Sequence, residues 1–468
     1  MFNNKHAFRI EDIFKNPSLF LLLLLLPLQF GLFGLFFFKK LYFYALIILA
    51  LYFLVFAFSV YRSLLLALFI IVVFQEPRYQ FEYMPIGVSQ NIVLLLLLPI
   101  IYYWIIDLLS GKTERKANSK LCQYFTGFLI VILLAFAVGL LNGYDWQMIL
   151  ENAIPFCYYI TFFIVYTSLK EDNDIKMFSG ILLAAGTLVI FQYIFSFLTG
   201  RFSILSMGRI VTGQIHILYL ILAFMGSMIL NLKQYRYCSI LFFILLIPPI
   251  LISQTRGTWA ASIVAILVNI VLHLRVRKYP LGKFMAVFLV MAGFLFLSFF
   301  IAQSLLGMNM LSLVQARAET VMNWQQDTSL MMRAEMYHSA WKEFLSSPFI
   351  GRGLGSLVHV HDWQYQLWID SSYMVLMWKM GIIGLISYLA IMLVALNRSY
   401  QVFIKTEKSF YQWFSGGFFS AFSGFMVLGF ISPVLLKYRF NIIWAILFAC
   451  IEYMHMKVVT EVKTSSIR

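Results

Sequence analysis

Residues 251–262 read LISQTRGTWAAS, an arginine followed at once by a glycine, set between two long apolar runs. The flanking runs decide the fold. A run of roughly 18 or more apolar residues can cross a bilayer as a helix, and such runs recur along almost the whole chain. Of the 468 residues, 62% are hydrophobic and 12% charged, too little charge to cover a soluble surface of this size. The expected spans are about 17–38, 41–59, 60–75, 88–109, 121–141, 153–169, 175–198, 212–231, 237–253, 257–274, 282–303, 371–396, 410–432 and 438–456. The first has no small-residue cleavage site after it, so a retained helix is expected rather than a signal peptide. The fold class is therefore an all-α polytopic membrane protein of about 12–14 transmembrane helices. Its parts are N-terminal helices (1–303), one long extracytoplasmic loop containing short helices (304–370) and C-terminal helices (371–468). No repeat of the kind found in many secondary transporters stands out.

Lys and Arg in short loops set orientation. With both termini in the cytoplasm, GKTERKANSK (111–120), NLKQYRY (231–237), HLRVRKYP (273–280) and NRSYQVFIKTEK (397–408) all fall inside. The acidic NGYDWQMILEN (142–152) and the mixed EPRYQFEYMPIG (76–87) fall outside, with Lys39–Lys40 as the exception. The net charge of +15 is then mostly cytoplasmic anchor, and nucleic-acid binding is not needed to explain it. Cys122, Cys157, Cys238 and Cys450 lie in or at the ends of apolar spans without CxxC spacing, which points to neither a zinc site nor a redox pair.

Some basic residues then sit on the wrong side for anchoring: Arg201, Arg209, Arg256, Arg317, Arg333, Lys342, Arg352, Lys437 and Arg439. Lipid head-group contact and loop salt bridges are the plain explanations. Arg209 and Arg256 favour a functional one. Each precedes an apolar run, where a helix start offers unpaired N–H groups and the positive end of its dipole to a phosphate. Gly257 and Gly213 are expected to let an anion approach the backbone. A guanidinium also binds phosphate oxygens through a planar fork that Lys lacks. Arg256 thus reads as one jaw of an outward-facing anion clamp.

The loop 304–370 is long for a compact protein, and such loops are usually functional. Within it, 327–348 reads as a helix capped by Thr328 or Ser329 and stopped at Ser347–Pro348, with Arg333, Tyr337 and Trp341 on one face. GRGLGS (351–356) follows, a motif more often a turn than a phosphate cradle. His359 and His361 alternate with Val and would share a face in an extended segment, but no motif completes a metal site. General base chemistry suits His361, His359 and Asp370 better, in that order, with solvated loop histidines as the alternative. Lys379 lies inside an apolar run, where an ionisable group is a functional candidate unless it snorkels to the interface.

Four pieces in order resemble the O-antigen ligase and polymerase superfamily of bacterial envelope enzymes: GRIVTGQI (208–215), SQTRGTWAASIVAI (253–266), RAEMYHSAWKEFLSSPFIGRGLGS (333–356) and DSSYMVLMWKMGIIGLISYL (370–389). The resemblance covers roughly residues 200–395. The chain departs from the family at two places. Asp370–Ser371 stands where ligases carry His–Asn, and Lys379 where an acidic residue is usual. The resemblance implies inverting, cofactor-free and metal-independent transfer of a glycan from undecaprenyl diphosphate to a sugar hydroxyl, at the outer face of the bacterial cytoplasmic membrane. Its implied diphosphate-binding residues are Arg209, Arg256, Arg333, Arg201 and Arg352. Its implied partners are undecaprenyl-diphosphate-linked glycans, membrane lipids, a flippase and chain-length regulators. The Asp variant is closer to polymerases than to ligases. The long outer loop weighs against a flippase, where alternating access favours short connections.

The orientation is tested by cysteine labelling of intact cells. An impermeant reagent should reach a Leu330→Cys protein and spare an Arg115→Cys protein. Labelling at 115 alone would reverse the topology.

Overall fold

The computed structural model describes residues 119–198, 215–252, 255–276, 328–360 and 364–465, with scattered helical residues at 97–108 and 282–296. The expected spans 17–38, 41–59 and 60–75, most of 88–109 and 282–303, and loop residues 304–327 lie outside the described residues. The rest of the expected spans are helices. Numbered over the described residues, they are α1 (Lys120–Leu141), α2 (Trp146–Cys157), α3 (Ile160–Ser168), α4 (Asp172–Leu198), α5 (Ile215–Asn231), α6 (Arg236–Ile252) and α7 (Arg256–Val276). The loop helix is α8 (Thr328–Ser346), and α9 (Ser372–Lys405), α10 (Ser409–Ile431) and α11 (Tyr438–Ser465) close the chain. Six helical stretches among the described residues are long and apolar enough to cross a membrane. Ile217–Asn231 and Lys233–Ile247 form a further pair bent by 117°. The protein is an all-α polytopic membrane protein. The only strands among the described residues are β1 (Val358–Val360) and β2 (Gln364–Gln366), a short antiparallel hairpin.

Several boundaries depart from the sequence reading, among them α11, which runs to Ser465 instead of ending near 456. The span expected at 153–169 begins at Trp146, because the Asp145 side chain caps α2 by accepting from the Gln147 N–H at 2.9 Å. It breaks again after Pro155, and α3 resumes at Ile160. Helix α9 runs to Lys405 instead of ending near 396. The polar residues expected to form a loop find partners on neighbouring helices. Arg398 pairs with the buried Glu452 at 3.5 Å, and Ser399 Oγ donates to the Ser415 carbonyl at 2.7 Å.

Helix α10 is the hub, packing on α5, α7 and α9. Small residues let it approach: a Cβ on Gly424 would lie 2.5 Å from the Ala261 carbonyl oxygen of α7. Helix α11 is buried on nearly all sides, with Trp444 and Phe448 against Phe418 and Phe422 of α10.

Helix α9 is interrupted at Gly381, whose φ of 66° and ψ of −169° are not helical. The break frees backbone groups inside a candidate span, where water cannot satisfy them. The segment just after α8 does so instead. The N–H groups of Ile382 and Ile383 donate to the carbonyls of Pro348 and Phe349 at 2.8 and 3.3 Å. In return, Arg352 and Gly353 donate to the carbonyls of Trp378 and Lys379 at 2.9 and 3.0 Å.

At Gly381 a Cβ would face both the positive φ and the Phe349 carbonyl carbon at 2.3 Å. Gly381→Ala should therefore cost more than about 1 kcal/mol and lower the melting temperature in detergent. Gly127, on α1 with no atom near its absent Cβ, is the control. Gly127→Ala should gain roughly 0.5–1 kcal/mol through helix propensity. Equal melting temperatures for the two variants would contradict the account of the break.

Candidate functional site

The site is built where α8 crosses the start of α9. Ser371 caps α9, its Oγ accepting from the Met374 N–H at 3.4 Å, and this leaves Asp370 just outside the helix start. Arg333 of α8 donates through Nε to Asp370 Oδ2 at 2.8 Å. One turn later, the Tyr337 hydroxyl is shared between the carbonyls of Asp370 (2.7 Å) and Phe430 (2.9 Å). Burial pushes the Tyr337 phenol above its usual pKa, against the lowering effect of Arg333, so it remains a donor. Ser372 Oγ donates to the Ser432 carbonyl at 2.9 Å and accepts from the Leu435 N–H at 3.3 Å. The start of α9, the middle of α8 and the end of α10 are thus tied together. Arg333 and Tyr337 share the inward face, as their spacing predicts. Trp341 does not join them; it lies towards the surface, against Phe344 at 5.1 Å.

Arg256 is the first residue of α7, and Gly257 follows it into the packing against α10. The expectation that Gly257 opens the backbone to an anion is corrected here. Its absent Cβ would meet Leu428 Cδ1 at 2.9 Å and Ile431 Cδ1 at 3.4 Å, so the glycine serves helix packing. The same contact brings the start of α7 to the end of α10, where Tyr337 and Ser372 also bind. Arg201, Arg209 and Gly213 lie outside the described residues, as does His361. His359 is exposed on β1, paired across the hairpin with Tyr365, and the two rings meet edge to face at 5.2 Å.

GRGLGS is a turn and not a phosphate cradle. Its successive N–H groups, from Gly351 to Gly355, already donate to Ser347 O, Trp378 O, Lys379 O, Ala135 O and Asn152 Oδ1, at 2.9–3.1 Å. At Gly353, with φ of 88°, a Cβ would lie 2.5 Å from the Gly139 nitrogen of α1. Arg352 itself pairs with Glu343 at 3.1 Å.

Lys379 does not snorkel. It is fully buried, and its Nζ donates to Asn152 Oδ1 and, at 2.9 Å, to the Ser356 carbonyl. Its Nζ also lies 4.1 Å from the Trp378 ring centroid and 5.6 Å from that of Trp368. Sequence reading missed Asn152, which accepts from both Lys379 and Gly355. The available signal was an Asn at the edge of an apolar run. Glu343 was missed too, although its partner Arg352 was not.

Residues 241–389 match the family model described as O-Antigen ligase, a stretch that takes in most of α6, all of α7 and α8, the hairpin, Asp370 and the first half of α9. No curated protein matches the chain. The matched segment contains the helix starts, the loop end and the break around which the site is built, and over that segment the chain is similar to the O-antigen ligase family.

Proposed function

We propose that the protein is a polysaccharide polymerase that joins undecaprenyl-diphosphate-linked repeat units at the outer face of the bacterial cytoplasmic membrane, with both termini inside. The observation that carries this reading is the meeting of two helix starts, Arg256 of α7 and Asp370 before α9, at one end of α10. Helix starts and guanidinium groups favour an anionic leaving group there. A carboxylate beside them supplies a proton acceptor. The acceptor hydroxyl attacks the anomeric carbon of the donor sugar with inversion. The bond from that carbon to the diphosphate oxygen breaks, and the hydroxyl proton passes to the base. The leaving group is undecaprenyl diphosphate, its charge held by Arg256 with Arg201, Arg209, Arg333 and Arg352 as the supporting set.

Asp370 is the base in this reading. One of its oxygens is fixed by Arg333, and its carbonyl is held by Tyr337. His359 sits on the exposed hairpin instead, and His361 is the competing residue. Asp370 in place of the ligases' His is also what favours polymerase over ligase. The ligase alternative transfers a finished glycan to another acceptor. A lipid-linked oligosaccharide flippase is the reading from another class. A separate flippase and a chain-length regulator are the further partners in this reading.

Purified protein given only lipid-linked repeat units should yield a ladder of longer lipid-linked chains without ATP, and should keep doing so in EDTA. A ligase would give no ladder until a different acceptor was added, and a flippase would leave chain length unchanged. Asp370→Asn should cut turnover by about 10²–10⁴-fold with donor binding intact, as loss of a general base does. Arg256→Lys keeps the charge but loses the fork, and should lose most activity at normal protein level. Near-normal ladders from folded Asp370→Asn or Arg256→Ala protein would remove that residue from the mechanism.

A further inference from the structure

Helix α8 has two unlike exposed flanks. With side chains turned about 100° per residue, Trp341, Ala334 and Leu345 project on one flank and Lys342, Glu335 and Ser346 on the other. Beyond the exposed His338 at its edge, the first flank is apolar yet open, with Trp341 44% and Leu345 58% exposed. The chain then leaves the helix through Phe349 and Ile350, which are 70% and 51% exposed. Four large apolar side chains within ten residues make a poor water-facing surface.

Their position decides what covers them. The Phe349 carbonyl accepts from the Ile383 N–H, so Phe349 and Ile350 are fixed beside the first turn of α9 after its break. From that turn onwards, Ile383, Ile386 and Leu393 form an exposed apolar stripe along a helix long and apolar enough to span a membrane. The open residues of the loop thus continue the lipid-facing surface of α9.

We infer that the segment from Trp341 to Ile350 is seated in the lipid leaflet on its side of the membrane, so that α8 lies at the bilayer interface. Trp is the residue most at home at that depth, where one side of the ring is apolar and the other wet. Helices with one apolar and one charged flank lie in the interface plane, and the Glu335 and Lys342 flank then faces head groups and water. The inward face of α8 carries Arg333 and Tyr337, so this seating would bring Asp370 to the level of the lipid phosphates. The inference rests on α9 as a spanning helix and not on the transfer chemistry, so its failure and that of the proposed function are distinguishable.

An environment-sensitive fluorophore on Phe349→Cys, Leu345→Cys and Glu335→Cys, in protein with its native cysteines replaced and reconstituted in vesicles, tests it. The probes at 349 and 345 should be quenched by lipids carrying a nitroxide just below the head group and shielded from aqueous iodide. The probe at 335 should show the reverse. Iodide quenching at 349 equal to that at 335 would overturn the inference. Shielding from both quenchers would also overturn it, because protein, such as a second copy of the chain, would then cover the segment. Should the cysteine-free protein fail to fold, hydroxyl-radical footprinting of the unmodified protein in lipid nanodiscs replaces it. Trp341 and Phe349 should then be oxidised several-fold less than Tyr365 on the hairpin, and equal oxidation would sink the idea.

Discussion

A helix that stops and restarts inside a span exposes carbonyls on one side of the break and N–H groups on the other. Each such group left unpaired in hydrocarbon costs several kcal/mol. The break at Gly381 is tolerated because residues 348–353 supply the missing partners, two acceptors and two donors. This exchange explains the composition of the loop's end. Gly351 lies where a side chain would strike the Lys379 carbonyl carbon at 2.4 Å, and Gly353 where it would strike α1. The glycines that invite a phosphate-loop reading are there for backbone-to-backbone contact.

The break also isolates the first turns of α9 as a short stub, Ser372 to Met380, and Asp370 just before it is held directly by Arg333 and Tyr337. Ser372 and Tyr337 fasten its outer end to α10 and to the segment after it, while Lys379 fastens its inner end to α2 and the loop. Lysine at this depth follows from its surroundings. The Ser356 carbonyl can only accept, and Asn152 Oδ1 already accepts from Gly355, so the site calls for a donor. A carboxylate, usual in the resembling family, would meet acceptors on both sides. The substitution and its local partners therefore belong together.

The membrane-spanning character was legible from apolar run length, since a bilayer sets that length directly. The pairing of Arg333 and Tyr337 was legible from helical spacing. Other features depended on contacts between segments far apart in the chain. Gly257 after Arg256 reads as an opening for an anion until Leu428 and Ile431 of α10 are seen to fill the space. Helix α9 outruns its apolar segment because Glu452 and the Ser415 carbonyl, on other helices, receive Arg398 and Ser399. Asn152 looked like an ordinary loop residue, because its partner lies more than two hundred positions away.

The two charged contacts around the stub differ in kind. Lys379 is wholly buried, and removing either of its acceptors would leave a buried N–H donor without a partner, an unfavourable state. The Arg333–Asp370 pair is partly open, with side chains 28% and 41% exposed. Pairs of this exposure contribute about 0–1 kcal/mol, because solvent screens them and ordering two side chains costs entropy. The fold therefore does not depend on this pair; Tyr337 and the serine contacts hold α8 and α9 in place without it. A competing anion could draw Arg333 away at little cost and leave the Asp370 carboxylate uncovered. The buried Lys379 contact and the exchangeable Arg333–Asp370 pair lie at opposite ends of one short helical stub, the first securing its position and the second available for exchange.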